Sequence, residues 1–145
     1  MLTKSDYLNF LACPNEFWMS KNIELPAREL SLGDTHLRQQ GYDVENLSRQ
    51  MAIFTPSEDR SVSFAKIFTN DELYAKADIV VTNLRDGSIE IYEVKSNASV
   101  KPEHIEDVAF QKYVVELLKY QISKVYVITV NTEYVRNGGI NADQC

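Results

Sequence analysis

The chain has 145 residues, of which 44% are hydrophobic, and it carries a formal net charge of −6. This length and composition fit one globular domain with a sizeable core and exclude a disordered chain. The acidic charge argues against a protein that coats nucleic acid by bulk electrostatics, but it is compatible with an enzyme that meets phosphates through a metal ion held by carboxylates.

The sequence also indicates the cellular compartment. No apolar run approaches the length that would cross a bilayer, and residues 1–18 lack the hydrophobic segment and small-residue cleavage site of a secretory signal. Cys13 and Cys145 lie at opposite ends of the chain, which is not the pattern of a disulfide framework. We therefore expect a cytoplasmic protein with no membrane partner.

Residues 1–30 are predicted to form an N-terminal helical extension. The apolar residues up to Leu11 fit a short helix, which Pro14 would end at about Ala12. Residues 15–22 fit a further helical turn or two.

Strand patterns fill the middle of the chain. The turn signals "TND" and "RDG" separate three runs of alternating or β-branched residues. A broad apolar face at helix spacing follows, and then a β-branched run typical of a central strand. The predicted elements are a helix over Thr35–Met51, strands over Ser61–Thr69, over residues 72–83 and from Ser88 onwards, a helix after Pro102 and a strand over Lys124–Asn131.

This order predicts an α/β (α+β) fold: a helix, three strands in antiparallel succession, a crossover helix and a last strand. A strand–helix–strand crossover joins parallel neighbours, so the central sheet should be mixed and flanked by helices. We expect residues 1–145 to form a single domain, with its core in residues 35–131.

Two acids and a base do not fit a plain apolar core. Asp78 interrupts the run "AKADIVV", although aspartate is among the poorest strand formers. Along "SIEIYEVKS", alternation puts Glu93 and Lys95 at the end of the apolar face that begins at Ile89. Hairpin pairing would bring the acids together, and adjacent carboxylates are costly to bury unless a divalent cation lies between them. Taken singly, each of these residues is better explained by a solvated sheet edge that carries an acid–base pair. Taken together, the three residues at strand positions favour a functional site.

The arrangement of Asp78 followed by Glu93-Val94-Lys95 resembles the motif of the PD-(D/E)XK nucleases, the restriction-endonuclease-like superfamily. The predicted order of elements agrees with the core of that superfamily. A longer resemblance covers most of the chain: "LTKSDYLNFLACPNEFWM", "GYDVENLSRQMAIFTP", "YAKADIVV", "IYEVKSNASVKPEHIEDVAFQKYVVE" and "VNTEYVRNG" are similar to a bacterial family of RecB-like nucleases, related to the exonucleases associated with CRISPR adaptation.

The resemblance implies a metal centre. Asp78 and Glu93 would bind one or two Mg²⁺ or Mn²⁺ ions, and the backbone carbonyl of Val94 would add a ligand. Lys95 would contact the attacking water or the scissile phosphate. Many superfamily members also place an acid on the first core helix, a position that Glu45 fits, although Glu45 fits a solvated helix flank equally well.

RecB-like enzymes carry a glutamine on the crossover helix, and Gln111 takes that position. The usual tyrosine of the Gln-x-x-x-Tyr pattern is replaced by valine in this chain, and the nearest tyrosine is Tyr113. Gln111 shares a helical face with Asp107 and His104, which would turn polar groups towards the site unless the face is simply a solvated stripe.

Further positions have weaker signals. Tyr113, Tyr134 and Arg136 are candidate DNA contacts, although a plain exposed loop explains the last two nearly as well. Relatives with an iron–sulfur cluster supply one Cys near the N-terminus, as Cys13 does, and three more after the core. Only Cys145 follows here, so we expect no cluster in this chain. The family resemblance implies that longer chains are common, so this sequence is compatible with a fragment.

We therefore expect a Mg²⁺- or Mn²⁺-dependent DNA nuclease, acting in DNA repair, defence or mobile-element processing. The alternative is a catalytically inactive module that keeps the nuclease fold and binds nucleic acid or protein. The complete set of Asp78, Glu93 and Lys95 favours the enzyme. The acidic charge and the short chain favour the module.

Overall fold

A computed structural model describes residues 1–24 and 31–145. The helices are α1 (Lys4–Ala12), α2 (Pro14–Asn22), α3 (Leu32–Ser48) and α4 (Pro102–Leu117), and a 3₁₀ turn spans Ala52–Phe54. The strands are β1 (Leu2–Thr3), β2 (Arg60–Thr69), β3 (Leu73–Asn83), β4 (Ile89–Val94) and β5 (Ile122–Ile128). The predicted order from α3 to β5 is confirmed. The end of the predicted N-terminal extension, residues 25–30, lies outside the described residues.

Capping residues set where the helices begin. Thr3 and Asp6 form a capping box at the start of α1, in which each side chain accepts a hydrogen bond from the other residue's backbone N–H. Ser31 and Asp34 form the same box on α3, so this helix begins before the predicted Thr35, and it ends at Ser48, short of the predicted Met51. The prediction followed apolar spacing alone and missed the cap.

The sheet is mixed, as predicted, and within the described residues it has five strands, one more than the sequence pattern indicated. Strand β3 pairs antiparallel with β2 and with β4, and β4 pairs parallel with β5 through the crossover helix α4. The short β1, which the sequence pattern did not indicate, pairs parallel with the first two residues of β3. Because β2 occupies the other edge of β3, β1 lies on the same edge as β4, next to its carboxyl end.

Two apolar clusters cover the two faces of the sheet. Helix α4 packs on the first face, and the 3₁₀ turn packs on the second. The buried members of the first cluster are Phe68, Ala75, Ala77, Val80, Ile89, Ile91, Phe110, Val114 and Val115. Those of the second are Phe54, Ile79, Val81 and Tyr92. Among the described helices, none combines the length and apolarity needed to cross a bilayer.

The strand pair β2–β3 changes face near its middle. Ala77 belongs to the first cluster and Ile79 to the second, although regular alternation would keep them on one face. The pairing ladder skips Ala65 and Asp78 at this point, and Ala65 has a left-handed backbone with a φ of 53°. Asp78 therefore lies at an irregularity of the strand, at a position without a partner in the β2–β3 ladder.

Candidate functional site

A buried polar group lies where β4 ends against α4. Glu93 and Asp107 are each 2% exposed, and Gln111 is completely buried. Glu93 follows Ile89 and Ile91 on the face that packs on α4, as the alternation predicted. Asp107 and Gln111 lie on the buried side of α4 together with His104, so the interpretation as a solvated stripe is wrong.

Two lysine ammoniums join the two buried carboxylates. Lys95 donates to Glu93 Oε1 at 2.7 Å and also donates to Asp107 Oδ2. Lys4 donates to the same Glu93 Oε1 at 2.7 Å, and its Nζ lies 3.0 Å from Asp107 Oδ1, an ion pair without hydrogen-bond geometry. Two positive and two negative charges therefore alternate around this group.

Lys4 reaches the site because of the strand that precedes it. Strand β1 pairs with the start of β3 next to the end of β4, so the first residue of α1 is delivered beside Glu93. Tyr7 fixes α1 on α4: its ring stacks on Phe110 at 5.4 Å, and its hydroxyl donates to Glu106 at 2.9 Å. The sequence analysis did not identify Lys4 as a site residue.

Gln111 holds the other oxygen of Glu93. Its Nε2 donates to Glu93 Oε2 at 2.5 Å, while its own Oε1 is buried and has no hydrogen-bond partner in the described part of the chain. Buried acceptors are rarely left unpaired, so this oxygen marks a place where a donor or a cation would be stabilised.

Asp78, unlike Glu93 and Asp107, forms no ion pair with a lysine or arginine of the described residues. Its Oδ2 accepts from the backbone N–H of Val94 at 2.8 Å, a donor that the end of the β3–β4 ladder leaves without a strand partner. Burial and the charge of Glu93 raise the pKa of Asp78 to about 7, against the lowering effect of that hydrogen bond and of Lys4. The charge of Glu45 makes a smaller contribution in the same direction as that of Glu93.

Glu93 has the opposite electrostatic surroundings. Burial acts to raise its pKa, but Lys4 and Lys95 together lower the pKa of Glu93 to about 2. Glu93 is thus ionised at any ordinary pH. Its permanent negative charge is one reason why the neighbouring Asp78 resists ionisation.

The structure thus brings together Asp78, Glu93, Lys95 and Gln111, with Val94 supplying a backbone donor, while Glu45 acts on Asp78 through its charge. Glu45 is half-buried and pairs with Arg49, the residue directly after α3. Two residues of the group had no role assigned from sequence: Asp107, which helical spacing had placed on the face of Gln111, and Lys4. Lys4 had no signal in its local pattern.

The remaining predicted residues have no hydrogen bond or ion pair with this polar group in the described part of the chain. Tyr113 is 57% exposed on α4. Tyr134 accepts from the Asn141 N–H and Arg136 donates to the Gly138 carbonyl, both within one loop that lines an apolar cavity of about 450 Å³ beside α3. Cys13 is a free thiol between α1 and α2.

The donor set fits a hard divalent cation. Asp78, Glu93 and the unpaired Gln111 Oε1 offer oxygen atoms, which Mg²⁺ and Mn²⁺ prefer. No three His, Cys, Asp or Glu side chains within residues 1–24 and 31–145 converge as a preformed metal site. Glu93 and Asp107 face lysines instead.

No protein-family model matches this sequence, and no curated protein matches it. The resemblance to RecB-like nucleases therefore depends on the motifs alone. What the protein does has to be inferred from the geometry and electrostatics of the site.

Proposed function

We propose that the protein is a metal-dependent nuclease with a restriction-endonuclease-like core, which hydrolyses phosphodiester bonds in DNA at the centre formed by Asp78, Glu93 and Lys95. One observation carries the proposal: Asp78 neighbours the ionised Glu93 and forms no ion pair within residues 1–24 and 31–145, and its pKa is raised to about 7 despite the lowering effect of Lys4. A neighbouring divalent cation would remove this penalty.

Asp78 and Glu93 would hold the Mg²⁺ or Mn²⁺ ion, with Gln111 Oε1, Glu45 and the Val94 carbonyl as further candidate ligands. The ion would polarise the phosphate and lower the pKa of a bound water. The order of elements supports the core topology, because the two acids lie on the antiparallel strands β3 and β4 between the helices α3 and α4.

The protein's own residues would position the reactants. Val94 N–H fixes the Asp78 carboxylate, and Gln111 fixes that of Glu93. Glu93 and Asp107 orient the Lys95 ammonium, which is partly exposed and therefore accessible to a phosphate oxygen. Positioned cations of this kind stabilise charge that develops on a transferring phosphate. Tyr113, Tyr134 and Arg136 remain candidate DNA contacts.

A second function has specific support. The Glu93–Asp107 pair is already neutralised by Lys4 and Lys95, so this half of the site is satisfied without any metal. Neutralisation of these carboxylates by lysines favours a catalytically inactive module that keeps the fold and binds nucleic acid or protein. The net charge of −6 favours it as well.

A cleavage assay separates the two functions. Linear and circular DNA, single- and double-stranded, would be incubated with Mg²⁺, Mn²⁺ or EDTA and with the wild type, Asp78→Asn or Lys95→Met. Lys112→Met is the matched control, because Lys112 is an exposed lysine of α4 whose partner is Glu116. We expect metal-dependent cleavage by the wild type and the control, and a loss of roughly 100-fold or more in each site variant.

Cleavage that survives in both site variants would contradict the proposal and indicate a contaminating nuclease. DNA binding by the wild type without cleavage of any substrate would support the inactive module instead.

A further inference from the structure

Lys4 is placed where it competes with a metal ion for Glu93. Its Nζ is 2.7 Å from Glu93 Oε1 and 3.0 Å from Asp107 Oδ1. Lys95 is also 2.7 Å from the same Glu93 oxygen. One carboxylate oxygen of Glu93 therefore contacts two ammoniums.

The charges explain what the second lysine does. With Lys95 alone, Glu93 and Asp107 would leave one buried negative charge unbalanced, which is strongly destabilising. Lys4 supplies the missing positive charge and makes the group neutral in the absence of metal. A divalent cation bound to Glu93 would supply that charge instead, and it would lie within a few ångströms of an ammonium that repels it.

Of the two lysines, Lys4 is the one that can leave. Lys95 directly follows β4, and its backbone N–H donates to the Ile128 carbonyl of β5 at 2.9 Å. Lys4 follows a strand of only two residues, and its side chain is 26% exposed, compared with 18% for Lys95. A rotation about its side-chain bonds would carry the Lys4 ammonium into solvent without moving the sheet.

We propose that Lys4 is a displaceable internal counter-ion that stabilises the metal-free centre and sets its affinity for the divalent cation. Metal binding expels the Lys4 ammonium from Glu93 and Asp107, whereas Lys95 stays. This inference rests on the proposed function, because it takes Glu93 as a metal ligand. Lys4 is thus a regulatory residue of the centre rather than a catalytic one.

Calorimetric titration with Mn²⁺ alone tests the inference. Lys4→Met removes the competing charge, so it should bind Mn²⁺ at least about tenfold more tightly than the wild type. Lys4→Arg keeps the charge and should bind within about threefold of the wild type. Lys21→Met is the matched control. Lys21 lies on α2 and pairs with Asp6 of α1 at 2.7 Å, so its charge does not balance that of Glu93. A purely structural role for Lys4 would not tighten metal binding.

A measurement on the wild type covers the case in which Lys4→Met does not fold. Lysines would be acetylated briefly with and without Mn²⁺, and each site quantified by mass spectrometry. Mn²⁺ should increase the labelling of Lys4 several-fold and leave that of Lys21 unchanged.

The outcomes distinguish a failure of the counter-ion inference from a failure of the proposed metal centre. If the wild type binds Mn²⁺ through Asp78, but Lys4→Met binds no more tightly and Lys4 labelling does not rise, the counter-ion inference alone is overturned. If neither the wild type nor Lys4→Met binds Mn²⁺, the metal centre is overturned as well.

Discussion

Two neighbouring regions of the site differ in how their charge is balanced. On the α4 side, Glu93 and Asp107 are matched by Lys4 and Lys95, and the pKa of Glu93 is lowered to about 2. On the β3 side, the one donor that Asp78 has among the described residues is the backbone N–H of Val94, and its pKa is raised to about 7. The contrast shows that ion pairs balance the charge of Glu93 and Asp107, whereas burial and the charge of Glu93 disfavour ionisation of Asp78.

The largest expected effect comes from breaking the balanced side. Glu93→Ala would leave Lys4 and Lys95 sharing one ion-pair partner among the described residues, Asp107, and would lower the free energy of unfolding by about 3–5 kcal/mol. Urea denaturation in EDTA measures this change. Glu116→Ala removes an exposed partner of Lys112 and should cost about 0.5 kcal/mol or less. Equal losses in the two variants would mean that the buried pairs are not formed.

The raised pKa of Asp78 should make the free energy of unfolding depend on pH. Because the folded-state pKa of Asp78 is about 7 and its ordinary value is 3.8, the folded state holds this proton more tightly than the unfolded state. Its stabilising effect is complete below pH 3.8 and is lost as the pH rises through 7. In EDTA, the wild type should therefore lose stability relative to Asp78→Asn by up to about 1.4 kcal/mol per pH unit across this window.

Urea denaturation of both proteins between pH 4 and 8 measures that difference. A difference between the two proteins that stays constant with pH would show that Asp78 titrates normally. Adding Mn²⁺ at pH 8 should stabilise the wild type and have little effect on the variant.

A smaller effect is expected where Gln111 supports Glu93. Gln111→Leu would leave Glu93 Oε2 buried without its donor, which costs about 1–3 kcal/mol of stability. Gln39→Leu is the control, because Gln39 bonds Asp43 on the exposed surface of α3. If both substitutions prove equally mild in urea denaturation, Glu93 Oε2 is solvated rather than held by Gln111.

The smallest effect concerns the distortion that separates Asp78 from the regular strand. Ala65 has a φ of 53°, where an L-residue with a Cβ is strained and glycine is not. Ala65→Gly should therefore raise the free energy of unfolding by about 1 kcal/mol. Ala77→Gly, in the regular part of the neighbouring strand, should lower it. A loss of stability in Ala65→Gly would show that the left-handed backbone is not populated.

Sequence reasoning reached those parts of the site that depend on local periodicity. Strand alternation placed Glu93 on the face that packs on α4, and helical spacing grouped Asp107 and Gln111. It could not reach Lys4, because that contact depends on a two-residue strand pairing with β3, and two residues carry no periodic signal. Nor could it foresee that a second ammonium, that of Lys4, would join Lys95 at Glu93, since an ion pair between distant segments depends on tertiary packing.

The central claim is that Asp78 and Glu93 form a divalent-cation site, and Mn²⁺ calorimetry tests it most directly. At pH 6, in two buffers of different ionisation enthalpy, the wild type should show saturable binding with release of about one proton per ion, because Asp78 is mostly protonated there. Asp78→Asn should lose both the binding and the proton release. Absence of binding by the wild type, or an unchanged titration in Asp78→Asn, would contradict the claim.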